Sequence, residues 1–91
     1  MPKPKKAAEP KKVFIRTVTH YFLGELVKQT PTEMVLKNAS WIADTGRYAQ
    51  FLSGDSVNEV EPYPDACEVH VNVGAIIDWI EWPHSLLRLQ K

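Results

Sequence analysis

Apolar and polar positions change rhythm several times along the chain, and each change predicts an element. Residues 13–28, "VFIRTVTHYFLGELVK", are rich in β-branched and aromatic types and have little helical periodicity. They predict one long strand, or two strands joined by a bend near Gly24. Thr30-Pro31-Thr32 then breaks the run, with Pro31 in the first turn, where its fixed φ and missing donor do no harm. Met34, Leu36 and Asn38 alternate with Val35 and Lys37, so residues 33–43 predict a further strand ending in Trp41-Ile42-Ala43. From Asp44 the spacing turns helical: Tyr48, Phe51 and Leu52 fall at i, i+3 and i+4. Asp44 or Thr45 is the candidate N-cap and Gly54 the candidate stop.

The next stretch, "SVNEVEPYPDA", is acidic and carries Pro62 and Pro64, which predicts a loop. The clearest β signal follows in residues 67–82. Val69, Val71 and Val73 alternate with Glu68, His70 and Asn72, and Gly74 interrupts the pattern as a bulge or sharp bend would. Beyond it Ile76, Ile80 and Trp82 share one parity while Ile77 and Trp79 occupy the other. A strand apolar on both faces is expected to be covered twice, by its own core and by a neighbour. "PHSLLRLQK" reads as a short helix or an edge segment. The expected fold is mostly β: about five strongly bent strands closing into a small barrel, which removes exposed edges.

Composition changes this picture in two places. Ninety-one residues support one small domain whose core is barely sufficient alone, which favours self-association. The formal net charge of zero conceals an asymmetry. Residues 1–12 hold five lysines against Glu9, a charge of +4, while residues 13–91 hold six Lys/Arg against ten Asp/Glu, a charge of −4. The opening "MPKPKKAAEPKK" has three prolines and no large apolar residue after Met1, so residues 1–12 are expected to be a disordered basic arm and residues 13–91 the single domain. The arm suits a contact with nucleic acid or an acidic surface, or simply solubility. No run is apolar enough for a signal peptide or a membrane span, and the single cysteine, Cys67, rules out an internal disulfide. A reducing cytoplasm, that of a host cell, is the expected location.

Candidate chemistry is thin. His20, His70 and His84 do not sit at metal-ligand spacing, so no metal or cofactor is expected. Cys67 lies near His70, but no third group completes a nucleophile, base and orienter set. Asp65 with Glu68, and Glu59 with Glu61, read as solvated surface on an acidic loop. No catalytic residue is expected. The aromatics Trp41, Trp79, Trp82, Tyr21, Tyr48 and Phe51 suit packing or an interface better than base stacking, because stacking sites need a positive groove and the domain is negative. Arg16, Lys37 and Arg47 are the cations able to grip a small anionic ligand, with Asn38, Trp41 and Tyr48 as companions. Ile76, Ile77, Trp79, Ile80 and Trp82 form the expected surface of a homo-oligomer.

Two family resemblances enter through these segments. "GELVKQTPTEMVLKNA" resembles the first motif of Sm, Lsm and Hfq proteins, and "VHVNVGAIIDWI", with Gly74, Ile77 and Ile80, resembles the second. Together they cover most of residues 18–82. This likeness implies a bent five-stranded barrel assembling into a ring by strand pairing between subunits. Thr30 and Met34 or Val35 stand near the places where those families carry an Asp and an Asn that hold RNA, and Val73 stands in place of an Arg. The implied barrel therefore comes without the implied RNA pocket.

"FIRTVTHYFLGELV" followed by "VLKNASWIADTGRYAQFLSGD" is similar to a family of small uncharacterised bacteriophage proteins, matching at Arg16, Thr17, Gly24, Glu25, Leu36, Lys37, Asn38 and Ala39. That likeness implies a phage accessory protein and supplies no activity. The expected function is non-enzymatic: a self-assembling protein that binds a host protein or a small nucleotide, with a counter-defence role. An Sm-type RNA binder and a virion or assembly component are the alternatives.

Overall fold

A computed structural model describes residues 10–91. Six antiparallel strands form one sheet: β1 (Lys11–Thr17), β2 (Tyr21–Gln29), β3 (Glu33–Asp44), β4 (Glu59–Pro62), β5 (Val69–Asn72) and β6 (Ile76–Glu81). One short helix, α1 (Tyr48–Leu52), and a 3-10 turn at Val73–Ala75 complete the elements. The sheet runs β4-β3-β2-β1-β6, with β5 also paired to β3. β3 is long enough to take two partners along one edge, β5 against Glu33–Leu36 and β4 against Ser40–Asp44. Between them Asn38 takes φ 50°, a left-handed conformation that Asn tolerates better than most residues.

The expectation of five strands closed into a barrel is corrected on both counts. The sixth strand is β4, inside the segment read as a loop. Its acidic character masked one apolar position: Val60 is buried, and alternation around it places Glu59 and Glu61 outward. Pro62 stands at the strand's end, where a missing donor does least harm. The sheet is not closed, because β4 and β6 end its strand order. The chain itself passes from β5, on β3, to β6, on β1, through Val73–Ala75.

The bend expected near Gly24 falls instead at residues 18–20. Thr17 donates its N–H to the His20 carbonyl at 2.8 Å, and its Oγ1 accepts from the His20 and Thr19 amides at 2.9 and 3.3 Å. Thr30 repeats the device in the second hairpin, with Oγ1 accepting from Thr32 and Glu33 and its amide donating to Glu33. Gly24 lies within β2 for a different reason. A Cβ there would stand 3.0 Å from the Ala39 Cα, so the glycine lets β2 and β3 approach at the bend of β3.

Helix α1 forms where the Tyr48, Phe51, Leu52 spacing predicts, but Asp44 and Thr45 do not cap it. Arg47 occupies the N-cap position without a side-chain bond, and Asp44 Oδ1 accepts from the Gly46 amide at 2.9 Å, closing a turn ahead of the helix. Gly54 takes φ 86° after the last turn, as the expected stop.

The sheet carries a core on each face. On one, Phe14, Leu23, Ile42, Val57 and Val60 pack with Phe51 of α1 and with Trp82, under Leu86 and Leu87 of the closing segment. On the other, Val13, Ile15, Met34, Leu36, Ala39 and Val71 pack together, with Phe22, Leu26 and Tyr63 partly buried against them. Alternate residues of β1 therefore feed opposite cores. Trp82, expected at the oligomer surface, is 3% exposed; its ring centroid lies 4.9 Å from that of Phe51, and Nε1 donates to the Ser85 carbonyl at 3.1 Å. It sits one residue beyond β6, its amide still paired to Lys12, and shares the parity of Ile80, which faces Phe14 of this core. Residues 83–91 form no helix. Pro83 and the tether at Lys91, whose N–H and carbonyl both pair with Val60 at 3.0 Å, lay them out along β4.

The boundary of the basic arm is also corrected. Lys11 and Lys12 belong to β1, in register with Leu26 and Glu25, because their alternation continues the strand. The rest of the arm, residues 1–9, lies outside the described residues.

Candidate functional site

The six residues expected to hold a ligand divide among separate surroundings. Arg16 and Tyr48 come together on the face that also carries Phe14. Arg16 Nε donates to Asp78 Oδ1 at 2.8 Å and Nη2 donates to Oδ2, a two-pronged ion pair across β1 and β6. The guanidinium also lies 5.4 Å from the centroid of the Tyr48 ring, within reach of a cation–π contact. The bond to Asp78 drives the Arg16 pKa up, and the same bond holds the Asp78 carboxyl below its usual range. Burial raises the Tyr48 hydroxyl, with Arg16 opposing. Both charges are thus fixed in their ionised forms by each other, at a surface position. Arg16 is consequently an already partnered cation rather than an open anion grip.

Trp41 lies on the opposite face. It pairs with Phe22 across β2 and β3, and Phe22 pairs with Ile15, a member of the other core. The Trp41 ring lies 5.0 Å from His20, which stacks on Phe22 at 5.9 Å, and Phe22 reaches Tyr63 at 6.4 Å. This aromatic band is bordered by a carboxylate, since Glu61 is the β4 residue opposite Trp41. Val18, Thr19, Tyr21 and Asp44 join Trp41 around a shallow depression beside it. An aromatic band with an acidic border suits a neutral or cationic group better than a phosphate.

Lys37 and Asn38 form a third neighbourhood at the bend of β3. Lys37 Nζ is 4.0 Å from Glu68, and Asn38 Nδ2 donates to Glu25 Oε1 at 3.2 Å. Arg47 stands exposed at the start of α1. Sequence spacing missed Asp78, His20, Phe22 and Tyr63. Asp78 carried a usable signal, being one acidic residue enclosed by Ile76, Ile77, Trp79 and Ile80, a position where a cation on the neighbouring strand is a natural partner.

Of the expected interface residues, Ile77, Trp79 and Ile80 are 60%, 37% and 42% exposed, and Ile76 is partly buried against the second core. A cavity of about 570 Å³ lies instead between the end of α1 and the closing segment, lined by Gly54, Asp55, Ser56, Trp82, His84 and Lys91 among others. His84 Nε2 donates to the Leu52 carbonyl at 2.9 Å, and its own carbonyl accepts from Lys12 Nζ at 2.5 Å, so both polar ends of this residue are structural. His70 lies 3.2 Å from Glu33 and 3.7 Å from Glu68 on the β5 surface. No helix is long and apolar enough to cross a membrane among the described residues. No family model, curated protein or solved structure matches the chain.

Proposed function

We propose that this protein is a non-enzymatic, self-assembling binding protein, a phage accessory factor that acts by occupying a host protein or a small nucleotide. The observation that carries the self-assembly is β6, a sheet edge on which Ile77, Trp79 and Ile80 stand exposed close together. The passage from β5 on β3 to β6 on β1 through one 3-10 turn supports an Sm-like arrangement of the chain. Arg16, Tyr48 and Asp78 lie beside the β6 edge, so a nucleotide held at a subunit boundary would meet the Tyr48 ring there, with Arg16 already paired to Asp78.

General RNA binding is the weaker alternative, because phosphate contacts need uncompensated cations and residues 13–91 carry −4. Light scattering at micromolar concentration tests the self-assembly, and a monomer mass would overturn it. Anisotropy titration of residues 10–91 with U-rich and A-rich oligomers tests the choice between classes. Binding no tighter than about 1 μM at physiological salt is expected, the loose end of non-specific affinities. Nanomolar binding would restore the RNA reading.

A further inference from the structure

We propose that two copies of this chain pair β6 against β6, antiparallel and centred on Trp79, so that two sheets become one. The proposal rests on the self-assembly reading above and specifies its contact.

The backbone sets which groups are offered. The Trp82 N–H donates to the Lys12 carbonyl at 2.8 Å, toward β1. Alternation in an antiparallel ladder then turns the polar groups of Ile80 and Asp78 toward β1 as well. Those of Ile77, Trp79 and Glu81 turn outward, where no further strand follows in the sheet order among the described residues. Three alternate residues thus present donors and acceptors along this edge, the arrangement that templates another strand.

Charge chooses the register. Outward-facing residues must meet outward-facing residues, which leaves few alignments. With Trp79 opposite its own copy, Asp78 meets Ile80 and Ile77 meets Glu81, so no carboxylate faces another. Moving the centre between Ile77 and Trp79 sets Asp78 against Asp78, a destabilising like-charge pair. Moving it between Trp79 and Glu81 sets Ile77 against Pro83, which has no N–H to give. Both carboxylates entering the seam already have partners, Asp78 with Arg16 and Glu81 with Lys11 at 3.6 Å.

The other edges suit β6 less well. The β4 edge is occupied where Lys91 pairs with Val60, and β5 is four residues long with His70 and Asn72 exposed. A second β6 brings apolar side chains on both faces: Ile77 and Trp79 on one, Ile80 on the other. The occupant is therefore another copy of this chain.

Paired cysteines test the register in the full chain, with Cys67→Ser as background. Ile77→Cys and Glu81→Cys are made separately, both at exposed positions. In the centred register these residues face each other about 5.5 Å apart at Cα, within the disulfide range of about 4.4–6.8 Å. Mild oxidation should link the two variants when mixed and leave each alone unlinked, with light scattering giving a dimer mass for the unmodified chain. An assembly of any size that gives no mixed cross-link, or that links each variant to itself, would overturn this pairing while leaving self-assembly standing. A monomer mass at micromolar concentration would overturn both.

Discussion

The two ends of the sheet manage the same hazard differently. At the β4 end the chain covers its own edge. Lys91 pairs with Val60, Gln90 Nε2 donates to Glu61, and Ser40 Oγ donates to the Leu87 carbonyl at 2.6 Å. Arg88 ties this segment down by donating to the carbonyls of Ala39 and Tyr63 and pairing with Asp65 at 2.8 Å. At the β6 end no strand among the described residues covers the edge, and Ile77, Trp79 and Ile80 stand exposed there. The segment that departs from β6 protects β4, and Trp82 marks the crossing point. Edge protection here is selective, and the edge left open carries the exposed Ile77, Trp79 and Ile80.

That contrast is most sharply broken at neighbouring tryptophans. Trp82→Ala should cost about 3–5 kcal/mol, the range for emptying a buried aromatic site, while Trp79→Ala should cost no more than about 1 kcal/mol of protomer stability and act on assembly instead. Urea unfolding at low protein concentration separates the two effects, and similar losses for both would mean that β6 is not an edge in solution.

Cutting the tie at β4 comes next. Arg88→Ala leaves two carbonyls to find new partners, and the loss of bonds from a charged donor should cost about 2–3 kcal/mol. Hydrogen exchange should then accelerate at Val60 and Lys91 ahead of β1. Uniform acceleration would mean that the closing segment is not a separate cover.

A smaller effect comes from the ion pair beside β6. Arg16 holds the Asp78 carboxyl below its usual range, so its contribution is complete above the unfolded carboxylate value of about 4 and is lost as pH falls through the lowered one. An NMR titration should find Asp78 returned toward its usual value in Arg16→Ala. An unchanged midpoint would deny the pair a role in solution. Deleting residues 1–9 should have the least effect, because the sequence offers no large apolar residue there after Met1. A surface change within about 0.5 kcal/mol moves the thermal midpoint by no more than about 4 °C, read by calorimetry.

Much of the β framework is legible in the chain. Met34, Leu36 and the alternation of Val69 and Val71 give β3 and β5 because period-two burial is a local property of a strand. The two hairpin turns share the pattern Thr-x-Thr, "TVTH" and "TPTE", yet only the second was readable, since Pro31 announced it while the first hid within a run of β-branched residues. β4 was hidden by its charges, because a four-residue strand with one buried side chain has too little pattern to rise above an acidic background.

The candidate ligand residues were legible only as types. That Arg16 can grip an anion follows from its chemistry, but its partner Asp78 stands 62 positions away and is brought to it by the pairing of β1 with β6.

The sequence by itself determined the strand character, the helix spacing at Tyr48, Phe51 and Leu52, and the charge asymmetry, all of which depend on near neighbours. Tertiary structure alone decided which edge is covered, which tryptophan is core, and why Gly24 must be small. Each of these depends on a group far along the chain: Lys91 on Val60, Trp82 on Phe51, Ala39 on Gly24. Local preference cannot encode such contacts, because burial is a property of what arrives from elsewhere.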